Sequence, residues 1–131
     1  MQLKNTLLTL TILFILGSVQ AQDGSIINDV GTALRTGSSK ELAKFFNDVI
    51  ELKIDGEKEN YSRTQAEVIV RNFFTKYPPE NFTKIHNGSS PDGLQYVLGK
   101  YFHKEGTHRV YMLIKKTEGS FKIDTLDLTK E

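Results

Sequence analysis

Few side chains in this chain could do chemistry: His86, His103, His108, Tyr101 and Asp124 are the ones that stand out. His103 and His108 flank Glu105-Gly106. If that dipeptide is a two-residue hairpin turn, the two imidazoles lie opposite each other on one face, within reach of a shared metal. Two ligands are too few and no carboxylate has a defined place beside them, so the expectation is a solvated pair at a hairpin end, with no metal. His86 opens the run HNGSSPDG, whose serines and glycines offer hydroxyl and backbone donors to an anion. The same run also reads as a turn-rich connection, which is the reading adopted. Acid–base catalysis would need a carboxylate and a proton donor inside a closed cavity. Asp124 is an acid within the central strands, but its register points it away from the helices. Tyr101 is the best inward phenol, and it reads as a core residue with a satisfied hydroxyl. No serine-nucleophile or phosphate-loop pattern occurs, and cysteine is absent. No catalytic residue and no cofactor is assigned.

The elements that must position these groups start with Tyr61–Pro79, YSRTQAEVIVRNFFTKYPP. Ser62 and Gln65 make a capping box, with Tyr61 before it placed to staple onto Ala66. Ala66, Ile69, Val70, Phe73, Phe74 and Tyr77 then recur at helical spacing, and Pro78-Pro79 ends the helix. Upstream, Ile26, Ile27, Val30, Ala33 and Leu34 mark a helix closed by Gly37, and a second short helix spans Lys40 to Phe46. Val49 to Ile54 alternates as a strand and turns at Asp55-Gly56, with a brief return at Glu57 to Tyr61. Beyond Pro79 the period becomes 2: Phe82 to Asn87, Gln95 to His103, Thr107 to Thr117 and Ser120 to Leu128 read as strands. The domain is therefore α+β, helices first and antiparallel sheet last.

Register follows if Glu105-Gly106 and Glu118-Gly119 are two-residue turns. Tyr101 then opposes Val110, Gly99 opposes Met112, Val97 opposes Ile114, and Ile114 opposes Ile123. This face, with Phe121, is apolar and takes the helices. Leu126 and Leu128 fall out of phase, so a bulge is expected near Thr125. Gly99 marks a bend. Any small apolar ligand should then sit among Phe46, Phe73, Tyr101, Met112 and Phe121. The opposite face carries Tyr96, Leu98, Phe102, Tyr111 and Leu113, threaded by Lys100, Arg109, Lys115 and Lys122. That apolar stripe is expected to pair two copies into a homodimer.

The first 21 residues look separable. Lys4 precedes the apolar run Leu7 to Leu16, and Val19-Gln20-Ala21 offers small residues for cleavage after Ala21. A ten-residue core is too short for a spanning helix, so residues 1–21 read as a signal peptide and 22–131 as one domain, with no membrane anchor after cleavage. Export without cysteine points to a periplasmic or secreted bacterial protein. Lys4 is the one charge lost with the signal, leaving 16 basic and 16 acidic residues. That balance argues against nucleic acid as a partner. Asp124-Thr125-Leu126 has the form of an O-glycosylation acceptor triplet, with Thr125 as the acceptor.

The order of motifs resembles a family of small exported proteins of unknown function from Bacteroidetes. The resemblance is carried by Tyr61 to Glu67, Phe73 to Pro79, His86 to Ser90, Gln95 to Tyr101 and Arg109 to Lys116. It implies a cystatin-like, nuclear-transport-factor-2-like cone and brings no catalytic residues with it. The expected function is a non-catalytic binding or interaction domain, holding a small apolar ligand or dimerising through the outer sheet. The alternative is a small lyase or isomerase of the ketosteroid-isomerase or polyketide-cyclase type, which would show an ordered acid facing the cavity.

Overall fold

The computed structural model describes residues 22–131, so the expected signal segment lies outside the described residues. Three helices, α1 (Gln22–Thr36), α2 (Ser39–Ala43) and α3 (Arg63–Lys76), accompany six strands. These are β1 (Phe46–Ile54), β2 (Glu57–Ser62), β3 (Asn81–Ser89), β4 (Gln95–His103), β5 (Gly106–Thr117) and β6 (Ser120–Lys130). They form one sheet in the order β2-β1-β6-β5-β4-β3. The expected α+β division holds, with one change: β1 runs parallel to β6, so the sheet is mixed rather than wholly antiparallel. The helices between β2 and β3, and before β1, allow this, because a parallel neighbour cannot be reached by a tight turn.

Local signals account for the helix ends. Gly37 adopts φ 68° after α1, and Ser38 N–H returns to Ala33 O at 3.0 Å. Ser38 then caps α2 by accepting from the Glu41 amide at 3.1 Å. The second helix is shorter than the expected Lys40–Phe46. The chain leaves it after Ala43, Phe45 O accepts from Ile123 N–H, and Phe46 enters β1 opposite Ile123. The capping box on α3 is complete, with Ser62 accepting from the Gln65 amide and Gln65 accepting from Ser62 N–H at 3.1 Å. Arg63 ties the start of α3 to β1 through Phe46 O (3.1 Å) and Asp48 (2.8 Å).

The turns divide into two kinds. Asp55-Gly56 (φ 49° and 93°) and Glu118-Gly119 (φ 50° and 84°) are left-handed at both positions, the two-residue hairpins anticipated. At the third hairpin the corner is Lys104-Glu105, and Gly106 carries the positive φ of 129° one position later. The β4–β5 register therefore differs from expectation by two residues: Tyr101 faces His108, Gly99 faces Val110, and Val97 faces Met112. A shift of two leaves every side chain on its expected face. The Ile114–Ile123 pair stands, and the bulge falls at Asp124, which brings Leu126 and Leu128 back into the core. Strand β3 also runs further than the expected Phe82 to Asn87, taking in Asn81, Gly88 and Ser89.

The core lies between α1, α3 and the inner sheet face. Phe73 packs on Tyr101 (ring centroids 5.4 Å) and Phe74 on the same ring at 6.0 Å. The bend expected at Gly99 coincides with a register irregularity in β3 between Lys84 and His86. A Cβ at Gly99 would lie 2.6 Å from the Phe82 ring and 2.8 Å from the Thr83 carbonyl, so no larger residue fits there unmoved. Phe73 and Phe74 are 5% and 6% exposed. Truncating either to alanine is expected to cost about 3–5 kcal/mol in urea denaturation. A loss under about 1 kcal/mol at both positions would contradict this account of the core.

Candidate functional site

The histidine pair is where expectation and structure differ most. His103 and His108 are not solvated: they are 4% and 0% exposed. They share the inner face with Tyr101 and Val110 but sit diagonally, with His103 paired to Gly106 and His108 to Tyr101. The end of α3 closes over them. Tyr77 lies against both rings, at 4.6 Å from His103 and 4.8 Å from His108, and Phe73 meets His108 edge-on at 4.9 Å. Their inward phase follows from alternation, since His103 shares the parity of Tyr101 on β4 and His108 that of Val110 on β5. What strand periodicity cannot show is that a helix end covers this end of the sheet.

Burial obliges each ring nitrogen to find a partner. The Glu105 amide donates to His103 Nδ1 at 3.2 Å. His103 Nε2 meets His108 Nδ1 at 2.9 Å, and His108 Nε2 meets the Asp55 carboxylate at 3.1 and 3.3 Å. A backbone amide can only donate, so His103 Nδ1 accepts and its proton sits on Nε2. His108 must then accept at Nδ1 and donate from Nε2 to Asp55. One chain of hydrogen bonds, with one direction, links the β4–β5 turn to the β1–β2 turn. Asp55 also accepts from the Lys130 amide at 2.8 Å, which fastens the end of β6. Beside them the Tyr101 hydroxyl donates to Tyr77 O, and burial raises its pKa. Among the described residues, no group of three His, Asp or Glu side chains is arranged to hold a metal ion.

Asp55 leads outward. Its side chain is 38% exposed and lines a cleft of about 270 Å³ between α3 and the β1–β2 hairpin. Leu52, Ile54, Tyr61, Ile69, Phe73 and Tyr77 supply the apolar wall, and Asp55, Glu57, Asn72 and Lys76 the polar mouth. Tyr77 and Asp55 thus belong both to the cleft and to the surroundings of the histidine pair. Two roomier hollows, of about 380 and 440 Å³, are bordered mainly by charged and polar residues such as Lys40, Arg63 and Glu67, or Asp29, Thr32 and Glu41.

The residues expected to line a ligand site are dispersed differently. Phe46, Tyr101 and Met112 are sealed in the core at 0%, 0% and 1% exposure, and Phe121 is half-buried under Lys116. Of that set, only Phe73 reaches the cleft. Asp124 pairs with Lys115 at 3.1 Å on the outer side, in keeping with its register. On that outer face Tyr96 is exposed while Leu98, Phe102, Tyr111 and Leu113 are half-buried. Three of the interleaved cations are engaged within the chain: Lys115 with Asp124, Lys100 with Glu131 (3.7 Å), and Lys122 with Lys44 O (3.2 Å). His86 lies on this face against the Tyr96 hydroxyl at 3.2 Å. The loop beyond it closes on itself through Ser90 N–H to Leu94 O, and the Ser90 hydroxyl, bonded to Asp92, holds that carboxyl below its ordinary value. An acid at its centre makes this loop a poor cradle for an anion.

A family model described as a domain of unknown function, DUF4783, matches residues 27–129. This chain belongs to the DUF4783 family. A DUF4783 protein from Bacteroides ovatus shares 29% identity over 79% of this chain and 93% of its own, with a TM-score of 0.76. One from Bacteroides uniformis shares 25% over 79% and 95%, also with a TM-score of 0.76. A domain of unknown function with a cystatin-like fold from Nostoc punctiforme aligns at 14% identity over 87% and 80%, with a TM-score of 0.68. No curated protein matches the sequence. Designed nuclear-transport-factor-2-like proteins also superpose, so the fold of this DUF4783 member is the α+β cone that its motifs imply.

Burial of His103 is expected to make stability depend on pH. Burial first, then His108 beside it, hold His103 below its ordinary value of 6.5. Unfolding returns the ring to that value, so the unfolded chain binds more protons in the window below it, and stability falls as pH falls through that window. Urea midpoints are expected to be level above about pH 7 and to drop from there to about pH 5.5, where ordinary histidines titrate. His103→Gln, which keeps hydrogen-bonding capacity without a titrating ring, should flatten the slope. A wild-type midpoint that stays level, or rises, on acidification would be the contrary result.

Proposed function

We propose that this DUF4783 domain is an exported, non-catalytic binding module that holds a small amphipathic molecule in the cleft between α3 and the β1–β2 hairpin. One observation carries the reading: aromatic and aliphatic side chains from a helix and a hairpin face a common space of about 270 Å³ with acidic, amide and ammonium groups at its mouth. That combination of apolar wall and a few polar groups is what small-ligand sites present. The size suits a ligand at the small end of the usual range. The lyase or isomerase alternative requires a free base in the cavity. Asp55, the acid best placed for it, already accepts from His108 and from the Lys130 amide. Indole is a suitable first probe. It is expected to give saturable amide shifts centred on Ile69, Asn72 and Phe73, with a Kd of about 1 mM or tighter. Asn72→Trp, which fills the mouth, should abolish them. Shifts scattered away from the cleft, or binding unchanged in that variant, would refute the site.

A second reading concerns the outer sheet face, for which we propose two-fold pairing with another copy. Internal pairing of Lys100 with Glu131 and of Lys115 with Asp124 supports it, because it offsets part of the charge that would oppose burying Leu98, Tyr111 and Leu113. Light scattering at micromolar concentration should give twice the chain mass, falling to the monomer in Leu98→Asp/Leu113→Glu. A wild-type monomer would end this reading.

A further inference from the structure

We propose that the buried His103–His108 pair is an acid-released latch on the cleft. While uncharged it holds Tyr77 and Asp55 in place; on taking up one proton it lets go of the β4–β5 turn. The consequence for a ligand rests on the cleft being a ligand site, whereas the latch itself does not.

The argument is one of available lone pairs. All four ring nitrogens are engaged, two as acceptors and two as donors. A further proton can enter only at an accepting nitrogen. On His103 Nδ1 it confronts the Glu105 amide, two donors facing each other at 3.2 Å. On His108 Nδ1 it confronts His103 Nε2–H, and relief by shifting that proton through His103 again leaves a hydrogen on His103 Nδ1. Every protonated form that preserves the His103–His108 bond therefore expels the Glu105 amide. The form that keeps the amide breaks the pair instead.

The surroundings decide which way this tips. Asp55 from the β1–β2 turn bonds His108, while Glu105 from the β4–β5 turn and Glu80 after α3 favour a charged ring at His103. Lys130 on β6 opposes it, and its Nζ lies 5.9 Å from the Tyr77 ring, with Lys76 Nζ at 5.2 Å from the same ring. An imidazolium at His103 becomes a third cation around Tyr77. Burial weighs against charge inside the closed structure, so the proton is accepted as the turn opens. Tyr77, Phe73 and Asp55 are cleft residues that meet the pair, so opening there alters the cleft wall.

The test needs no ligand. Nitrogen-15 correlations at pH 7.5 should show both rings as the Nε2–H tautomer. Between about pH 7.5 and 5.5 the Glu105 amide should lose at least about tenfold of its exchange protection, corrected for intrinsic rate, while Val110 and Met112 keep theirs. Asp55→Asn suits the left-handed turn and removes the carboxylate bonded at the far end of the pair, so it should move the midpoint to lower pH. Should that variant not fold, His103→Gln serves instead: its Glu105 amide should exchange independently of pH over the same interval. An Nδ1–H ring at neutral pH, Glu105 protection unchanged through the titration, or an unmoved midpoint in Asp55→Asn overturns the latch. Indole titrations over the same pH range separate the two ideas. Weakening with the same midpoint joins latch to cleft. If the latch signals appear while indole shows no cleft binding, the ligand reading fails and the latch stands.

Discussion

The last turn of α3 settles onto the inner face of β4 and β5, and most of the molecule's behaviour follows from that contact. Phe73, Phe74 and Tyr77 descend on Tyr101 and on two histidine rings in place of aliphatic side chains. An aliphatic floor would have needed no further arrangement. Imidazoles sealed from water must have every nitrogen bonded, and the bonds available nearby belong to two turns and a strand end. So the Glu105 amide, Asp55 and the Lys130 amide are recruited, and the packing of one helix fixes the loops at one end of the sheet.

This coupling explains why some of the fold was legible and some was not. Caps and stops depend on a few adjacent residues, so Ser62/Gln65, Gly37, Asp55-Gly56 and Glu118-Gly119 could be read directly. The Asp124 bulge was legible because two phases of hydrophobic alternation in β6 must be reconciled. Glu105-Gly106 resembled those other two turns, but the glycine closes the corner instead of sharing it, and the Glu105 amide turns inward to His103. The ring that accepts from that amide lies under Tyr77 at the end of a helix, a tertiary partner that no local pattern contains. The parallel β1–β6 pairing is nonlocal in the same way.

The residues expected to line one pocket are dispersed for a related reason. Large inward side chains such as Phe46, Tyr101 and Met112 suggested a cavity, yet residues that large pointing inward fill space as readily as they line it. They pack solid here, at 0%, 0% and 1% exposure. Room remains where elements diverge, between α3 and the β1–β2 hairpin, and its lining joins one side of the expected apolar helix to residues of that hairpin. Asp55 was read as a turn residue, which it is. Its φ of 49° directs its side chain to the β6 end and to His108, and that second role is invisible in the dipeptide Asp-Gly.

Gly99 shows how bending and packing reinforce one another at the far side of the sheet. The Phe82 ring occupies the space a Cβ would take, and Arg35 bonds Phe82 O at 3.0 Å while its guanidinium lies 5.9 Å from the same ring. The helix α1 is thereby held to β3 at the bend, as α3 is held to β4 and β5 by the aromatic cluster. Two helices fastened to opposite parts of a bent sheet leave the strands between them little freedom. The β1–β2 hairpin is secured differently: its strand β1 is bonded along β6, but its turn depends on Asp55 alone for side-chain attachment to β5. Local opening concentrates where few contacts hold a segment. The part of this fold best able to move without disturbing the core is therefore the turn and the exposed β2 arm of that hairpin, since β1 carries the core residues Phe46, Ile50 and Leu52.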